Sequence, residues 1–92
     1  MIFTRSDRFK QNYSKLNEEL KKRVKAKLKL MSENPMHPSL RTKRVQGTEN
    51  IFEASINMSI RMTWQYVDSG ILLRNVGGHD ETLKNPYNNA LL

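Results

Sequence analysis

The chain contains no cysteine among its 92 residues, so it has neither a disulfide framework nor a thiolate metal site. Proline and glycine are scarce, three and four residues, which excludes collagen-like and linker-like composition. No stretch is long and apolar enough to span a bilayer. The first residues lack the apolar h-region of a secretory signal, so the expectation is a cytoplasmic protein without membrane association. Acidic residues are the remaining shortage: 9 against 16 lysines and arginines, a formal net charge of +7. Hydrophobic residues make up 37% and charged residues 27%, the balance of a globular chain with one modest core. A single domain over 1–92 follows, with the tail 85–92 left unassigned.

An excess of positive charge this large favours a polyanionic partner, bound through phosphate neutralisation and counterion release. An anionic membrane, an acidic protein or a solvated face are the alternative outlets. The charge is concentrated: Lys21, Lys22, Arg23, Lys25, Lys27 and Lys29 are six cations in nine residues. Like charges four residues apart cost helix stability, so solubility alone is a weak reason for such a run.

Ile2, Phe3 and Thr4 read as a short strand. Ser6 or Asp7 then caps a helix whose buried stripe is Phe9, Tyr13 and Leu16. Asn17 caps a second helix, with Glu18 and Glu19 in the first turn, where they suit the helix dipole. Leu20, Val24, Leu28 and Met31 form its apolar stripe, and Asn34-Pro35 ends it. Residues 36–40 read as a loop and 41–45 as a basic strand. Phe52, Ala54 and Ile56 alternate with Glu53 and Ser55. Ile60, Met62, Trp64 and Tyr66 alternate with Arg61, Thr63 and Gln65. Asn57-Met58-Ser59 and Asp68-Ser69-Gly70 are short enough to be hairpin turns. Ile71 to Val76 is a further strand ended by Gly77-Gly78, and Glu81 to Lys84 a helical turn. The order is β-α-α-β-β-β-β. The expected class is α+β, a helical hairpin packed on one face of a twisted antiparallel sheet. The opposite face, with Glu53, Ser55, Arg61, Thr63 and Gln65, is expected to lie open.

Two residues on that surface carry chemistry. Arg61 offers a planar fork of donors that matches a phosphate and stays protonated, on a strand that holds it firmly. It is equally suited to pairing with Glu53 across the hairpin. His79 follows the glycine pair; an imidazole titrates near ~6.5 and exchanges protons at neutral pH. Its plainer role is a surface histidine in a turn. Asp80 stands ready to orient or neutralise it. Arg41, Lys43 and Arg44 form one cluster that binds phosphates or guards a sheet edge. His37, beside Pro38, reads as a loop residue. Two histidines far apart and no thiol argue against a metal site. Phosphate-cradling glycine loops and nucleophile motifs are missing, so no cofactor is expected.

The order of elements, the segment Leu40-Arg41-Thr42-Lys43-Arg44-Val45-Gln46-Gly47, the strand Ile60-Arg61-Met62-Thr63-Trp64-Gln65-Tyr66 and the ending Leu73-Arg74-Asn75-Val76-Gly77-Gly78-His79-Asp80 resemble the RelE/ParE toxin superfamily of bacterial type II toxin–antitoxin systems. The resemblance covers nearly the whole chain. It implies a metal-independent, ribosome-dependent endoribonuclease that cleaves mRNA by attack of the ribose 2′-hydroxyl on the adjacent phosphate. Arg61 falls where RelE-, YoeB- and YafQ-like members carry a phosphate-stabilising strand arginine. His79 falls near the general-acid histidine of the YoeB-like and YafQ-like members. Arg41, Lys43, Arg44, Arg74, Lys21, Lys22, Lys25 and Lys29 are the implied RNA-binding set. The implied partners are a cognate antitoxin, mRNA and the ribosome.

The chain also departs from the pattern. Glu53 and Ser55 stand on the strand where RelE-like members place lysines. Pro38, Ser39 and Leu40 stand where YoeB-like members carry a glutamate, which leaves Glu53 as the first candidate for general base and Asp80 as the second. Leu83 replaces an aromatic. Two other functions fit the same residues: a ParE-like toxin that poisons DNA gyrase without cutting RNA, and a non-catalytic basic module that binds nucleic acid or an acidic partner.

Overall fold

The computed structural model describes residues 2–84, apart from the side chains of Asp80, Glu81 and Lys84. After strand β1 (Ile2–Arg5), helix α1 (Asp7–Ser14) starts at Ser6, whose hydroxyl accepts from Phe9 N–H at 3.0 Å and donates to the Arg74 carbonyl at 2.6 Å. One side chain thus caps the helix and ties it to the sheet. Helix α2 (Glu18–Glu33) is capped by Asn17, which accepts from Leu20 N–H at 2.8 Å. It stops at Asn34, in extended backbone ahead of Pro35.

A single 3₁₀ turn, Pro38–Leu40, stands where a plain loop was expected. His37 caps it, its Nδ1 accepting from Ser39 N–H at 3.2 Å. The basic segment forms only a two-residue edge strand, β2 (Lys43–Arg44). It is followed by β3 (Phe52–Ser55), β4 (Ile60–Val67), β5 (Gly70–Gly78) and helix α3 (His79–Lys84).

The sheet order is β1-β5-β4-β3-β2. From β2 to β5 every pair is antiparallel, as expected, but β1 runs parallel to β5, so the sheet is mixed. The pairing of Ile2 with Gly70 is non-local, and residues 2–5 carry no local signal for its direction. Strand alternation sends Ala54, Ile56, Met62 and Trp64 to one face, where Phe9 of α1 and Val24 and Met31 of α2 cover them; all of these are at most 2% exposed. Burying large side chains such as Trp64 and Met62 contributes about 2–3 kcal/mol each, enough for a helical hairpin of modest intrinsic stability to dock.

Two features of β5 were not foreseen. Thr63 pairs with Asn75 while Trp64 pairs with Leu73, so a β-bulge leaves Arg74 as the extra residue. Gly77 and Gly78 continue the strand, and His79 opens α3 instead of lying in a flexible turn. Helix α3 then folds back over the second face of the sheet. Thr82 stands over Gly77, which pairs with Arg61 and shares its face. A Cβ at Gly77 would meet Thr82 Oγ1 at 3.2 Å, so the close approach favours glycine. The second face is therefore partly roofed, and Glu53, Thr63 and Arg74 are 3%, 1% and 3% exposed. Among the described residues no helix is long and apolar enough to cross a membrane.

The β1–β5 pairing rests on Gly70, where a Cβ would lie 2.1 Å from the Ile2 carbonyl oxygen. Gly70→Ala is expected to strip β1 from the sheet and lower stability in urea by about 3 kcal/mol. Gly47→Ala, at φ +83° with no atom within 4 Å of the added carbon, is expected to cost only about 1 kcal/mol.

Candidate active site

Glu53 is the centre of the site. It lies on β3, two residues from Ser55 and on the same face, and Ser55 pairs with Arg61. Its side chain is 4% exposed, and one carboxylate oxygen is 3.7 Å from Lys43 Nζ and 3.7 Å from Arg61 Nε. At that distance the contacts are ion pairs and not hydrogen bonds. The expected Arg61–Glu53 pairing therefore exists. The expectation that Glu53 lies open on the sheet is corrected: α3 and the edge residues close over it.

A cavity of about 450 Å³ lies on one side of Glu53, lined by Lys43, Arg44, Val45, Gln46, Glu53, His79 and Leu83. It brings together four residues singled out from the sequence: two edge-strand cations, the carboxylate and the imidazole. His79 is exposed, and its backbone N–H donates to the Ser59 carbonyl at 3.0 Å, which locks the start of α3 to the β3–β4 hairpin. The Arg44 guanidinium stands 5.9 Å from the Phe52 ring centroid, a cation–π contact on the face of the edge strand opposite to Lys43 and Glu53.

Arg61 faces away from this cavity. Its Nη1 donates to the carbonyls of Asn57 at 2.6 Å, Met58 at 3.1 Å and Ile60 at 3.3 Å. The hairpin that supplies them is itself fixed by Asn57 Oδ1, which accepts from Ser59 and Ile60 N–H at 2.8 Å each. The guanidinium lines a second cavity of about 300 Å³ with Lys27, Ser39, Arg41, Ser55, Ile56, Asn57 and Met58. Arg61 and His79 thus line different chambers, and Glu53 joins them.

The other candidates divide. Lys22, Lys25 and Lys29 are exposed on α2 and form no ion pair among the described residues. Lys21 pairs with Glu18 at 3.6 Å and lies 5.8 Å from the Tyr13 ring centroid. Arg41 is exposed at the mouth of the second cavity. Arg74 leaves the RNA-binding set: it is 3% exposed and its Nη1 donates to Gln65 Oε1, because the bulge turns it under the roof. The Asp80 side chain lies outside the described residues. Sequence reasoning overlooked Lys27 as a site residue. Its position three after Val24 and four before Met31, at the border of the buried stripe, was the available signal.

No protein-family model and no curated protein sequence matches the chain. Solved structures do. The chain is similar to the YoeB dimer from Staphylococcus aureus, with TM-score 0.75 and 15% identity over 86% of this chain and 97% of that one. It is similar to a mutant of the E. coli toxin RelE in the free state, with TM-score 0.72 and 18% identity over 98% and 93%. A third likeness is to the E. coli DinJ-YafQ toxin–antitoxin complex, with TM-score 0.74 and 12% identity over 87% and 93%. The fold is that of the RelE/ParE toxins.

The two ion pairs of Glu53 differ in exposure, and so in expected strength. The Lys43 side chain is 69% exposed and the Arg61 side chain 18%. Lys43→Ala is expected to change urea stability by less than about 1 kcal/mol. Glu53→Gln, which leaves Arg61 without its counter-charge, is expected to cost about 3 kcal/mol.

Proposed function

We propose that the chain is the toxin of a type II toxin–antitoxin pair and a metal-independent endoribonuclease that cleaves mRNA on the ribosome. The observation that carries this reading is the cavity in which His79, Glu53, Lys43 and Arg44 meet, with Arg61 held against Glu53. A proton donor, a carboxylate and two cations around one basin, with a third cation paired to the carboxylate from the adjoining chamber, are the groups a phosphodiester transfer needs. The likeness to YoeB, RelE and YafQ supports it at the level of fold.

In this mechanism Glu53 takes the proton of the ribose 2′-hydroxyl as its oxygen attacks the adjacent phosphorus. Arg61 and Lys43, already aimed at the carboxylate, stabilise the charge that builds on the phosphorane oxygens. His79 gives a proton to the departing 5′-oxygen. The P–O5′ bond breaks, and the products are a 2′,3′-cyclic phosphate and a free 5′-hydroxyl. Asp80 is placed by sequence beside His79 as its orienting partner. Lys22, Lys25 and Lys29 supply an exposed basic face for ribosomal RNA, and Arg41 and Arg44 hold the mRNA. The partner in the resting cell is a cognate antitoxin, as DinJ is found with YafQ.

Pulsed expression followed by mapping of new mRNA 5′ ends tests the reading. New ends inside translated frames are expected with the wild-type chain and are expected to vanish with His79→Ala, a loss of roughly 100- to 10,000-fold in rate. Arg61→Lys keeps a charge beside Glu53 and loses the planar fork, so it is expected to reduce cleavage about 100-fold with the fold retained. Growth arrest without new ends, with replication stopping first, would sink the ribonuclease and favour the gyrase-poisoning reading. Neither ends nor arrest would leave a basic binding module.

A further inference from the structure

The second cavity groups cations beyond what the chemical step itself needs: Lys27 has no part in it, and Arg41 none beyond holding RNA. Lys27 of α2, Arg41 after the 3₁₀ turn and Arg61 of β4 converge on it from three separate elements. Ser39, Ser55 and Asn57 add polar groups, and no carboxylate is among its lining residues. Two of the three cations are held by side-chain hydrogen bonds before any ligand arrives. Lys27 Nζ donates to the Ser39 carbonyl at 2.9 Å, and Arg61 is fixed by the hairpin carbonyls. Arg41 is the one described non-glycine residue with positive φ, at +50°. Its left-handed backbone brings its N–H to the Pro38 carbonyl at 3.1 Å and closes the 3₁₀ turn. Asparagine or glycine fits that conformation with less strain, so an exposed arginine there points to a use for its side chain.

From these observations we infer that the Lys27–Arg41–Arg61 cavity is a second phosphate subsite, which takes the phosphate next to the scissile one on a single RNA strand. Glu53 borders the His79 cavity and Ser55 the second one, and these residues are two apart on β3, about 7 Å. That separation is on the scale of one nucleotide step in an extended strand. Arg61 sits at the boundary between the chambers and holds the RNA in register. Met58, 93% exposed at the rim, offers an apolar surface to the adjoining base. The choice of RNA as the ligand rests on the ribonuclease reading; the preference for a phosphate rests on the cavity itself.

The test is fluorescence anisotropy with a short single-stranded RNA made uncleavable by 2′-O-methylation, over a range of salt. Lys27→Met and Arg41→Asn are each expected to weaken binding about 5- to 10-fold and to lower the salt slope by about 0.7. A neutral methylphosphonate at one linkage is expected to erase both penalties. Arg41→Asn is also expected to raise Tm, since asparagine suits the left-handed backbone. A purely structural role for Arg41 predicts instead that Tm and affinity fall together, and that result would overturn the subsite. Binding equal to wild type within about two-fold in both variants would also overturn it, with the ribonuclease reading intact. Weakened binding in the variants, combined with no new mRNA ends on expression, would keep the subsite and remove the ribonuclease. Failure of the wild-type chain to bind the RNA at all would overturn the subsite.

Discussion

The carboxylate of Glu53, 4% exposed and 3.7 Å from both Lys43 and Arg61, is the contact on which the arrangement of the site depends. Removing a carboxylate from water costs several kcal/mol unless opposite charge approaches closely. Here the opposite charge comes from two strands. Lys43 belongs to the edge strand β2 and Arg61 to the central strand β4, with β3 between them. The triad therefore spans three neighbouring strands, while the two-residue edge strand is anchored chiefly by buried Val45, whose N–H donates to the Ile51 carbonyl at 2.8 Å. The triad also sets the direction of the Arg61 side chain, whose far end reaches the carbonyls of the β3–β4 hairpin. The floor of one chamber and the wall of the other are consequences of one ion-pair cluster.

That cluster shows how far the sequence could be read. Period-two alternation in β3 and β4 identified the core residues Ala54, Ile56, Met62 and Trp64, and it placed Arg61 and Glu53 together on the opposite face. Ser6 and Asn17 were legible as caps because capping is local chemistry. The parallel pairing of β1, the bulge at Arg74 and the roof made by α3 were not legible, since each depends on residues distant in sequence. Those non-local features decide burial. They sink Glu53 below a surface on which the pattern alone left it exposed, and they bury Arg74, which the resemblance implied for RNA binding. They also turn a single expected site into two chambers. The Gly77-Gly78 pair did point to His79, for a different reason than flexibility: Gly77 lets α3 pack closely on the sheet.

Likeness in fold at 12–18% identity fits this division of labour. A core needs apolar side chains of about the right size, so many sequences satisfy it. The second face is constrained only by what it binds. The resemblance drawn from the sequence implies lysines on the strand where Glu53 and Ser55 stand. Here the positive charge has moved to the flanks, onto Lys43 and Arg44 at the edge and Lys27 and Arg41 beside the 3₁₀ turn. A negative centre ringed by cations is a different electrostatic design from a uniformly positive strand.

The cations of the chain fall into two populations with different physical effects. Lys22, Lys25 and Lys29 extend from α2 into solvent and retain their rotamer freedom. Their attraction for a polyanion is long-ranged, additive and screened within about 8 Å at physiological salt, so it raises encounter rate more than selectivity. Lys27, Lys43 and Arg61 are already held by a carbonyl or a carboxylate. Their side chains lose less freedom when a ligand arrives, and their fixed positions select one geometry of phosphates over others. The seven-fold net charge therefore does not act as one field. In the proposed function, the exposed face of α2 would draw RNA to the molecule, and the held cations on either side of Glu53 would decide how the strand lies once it is there.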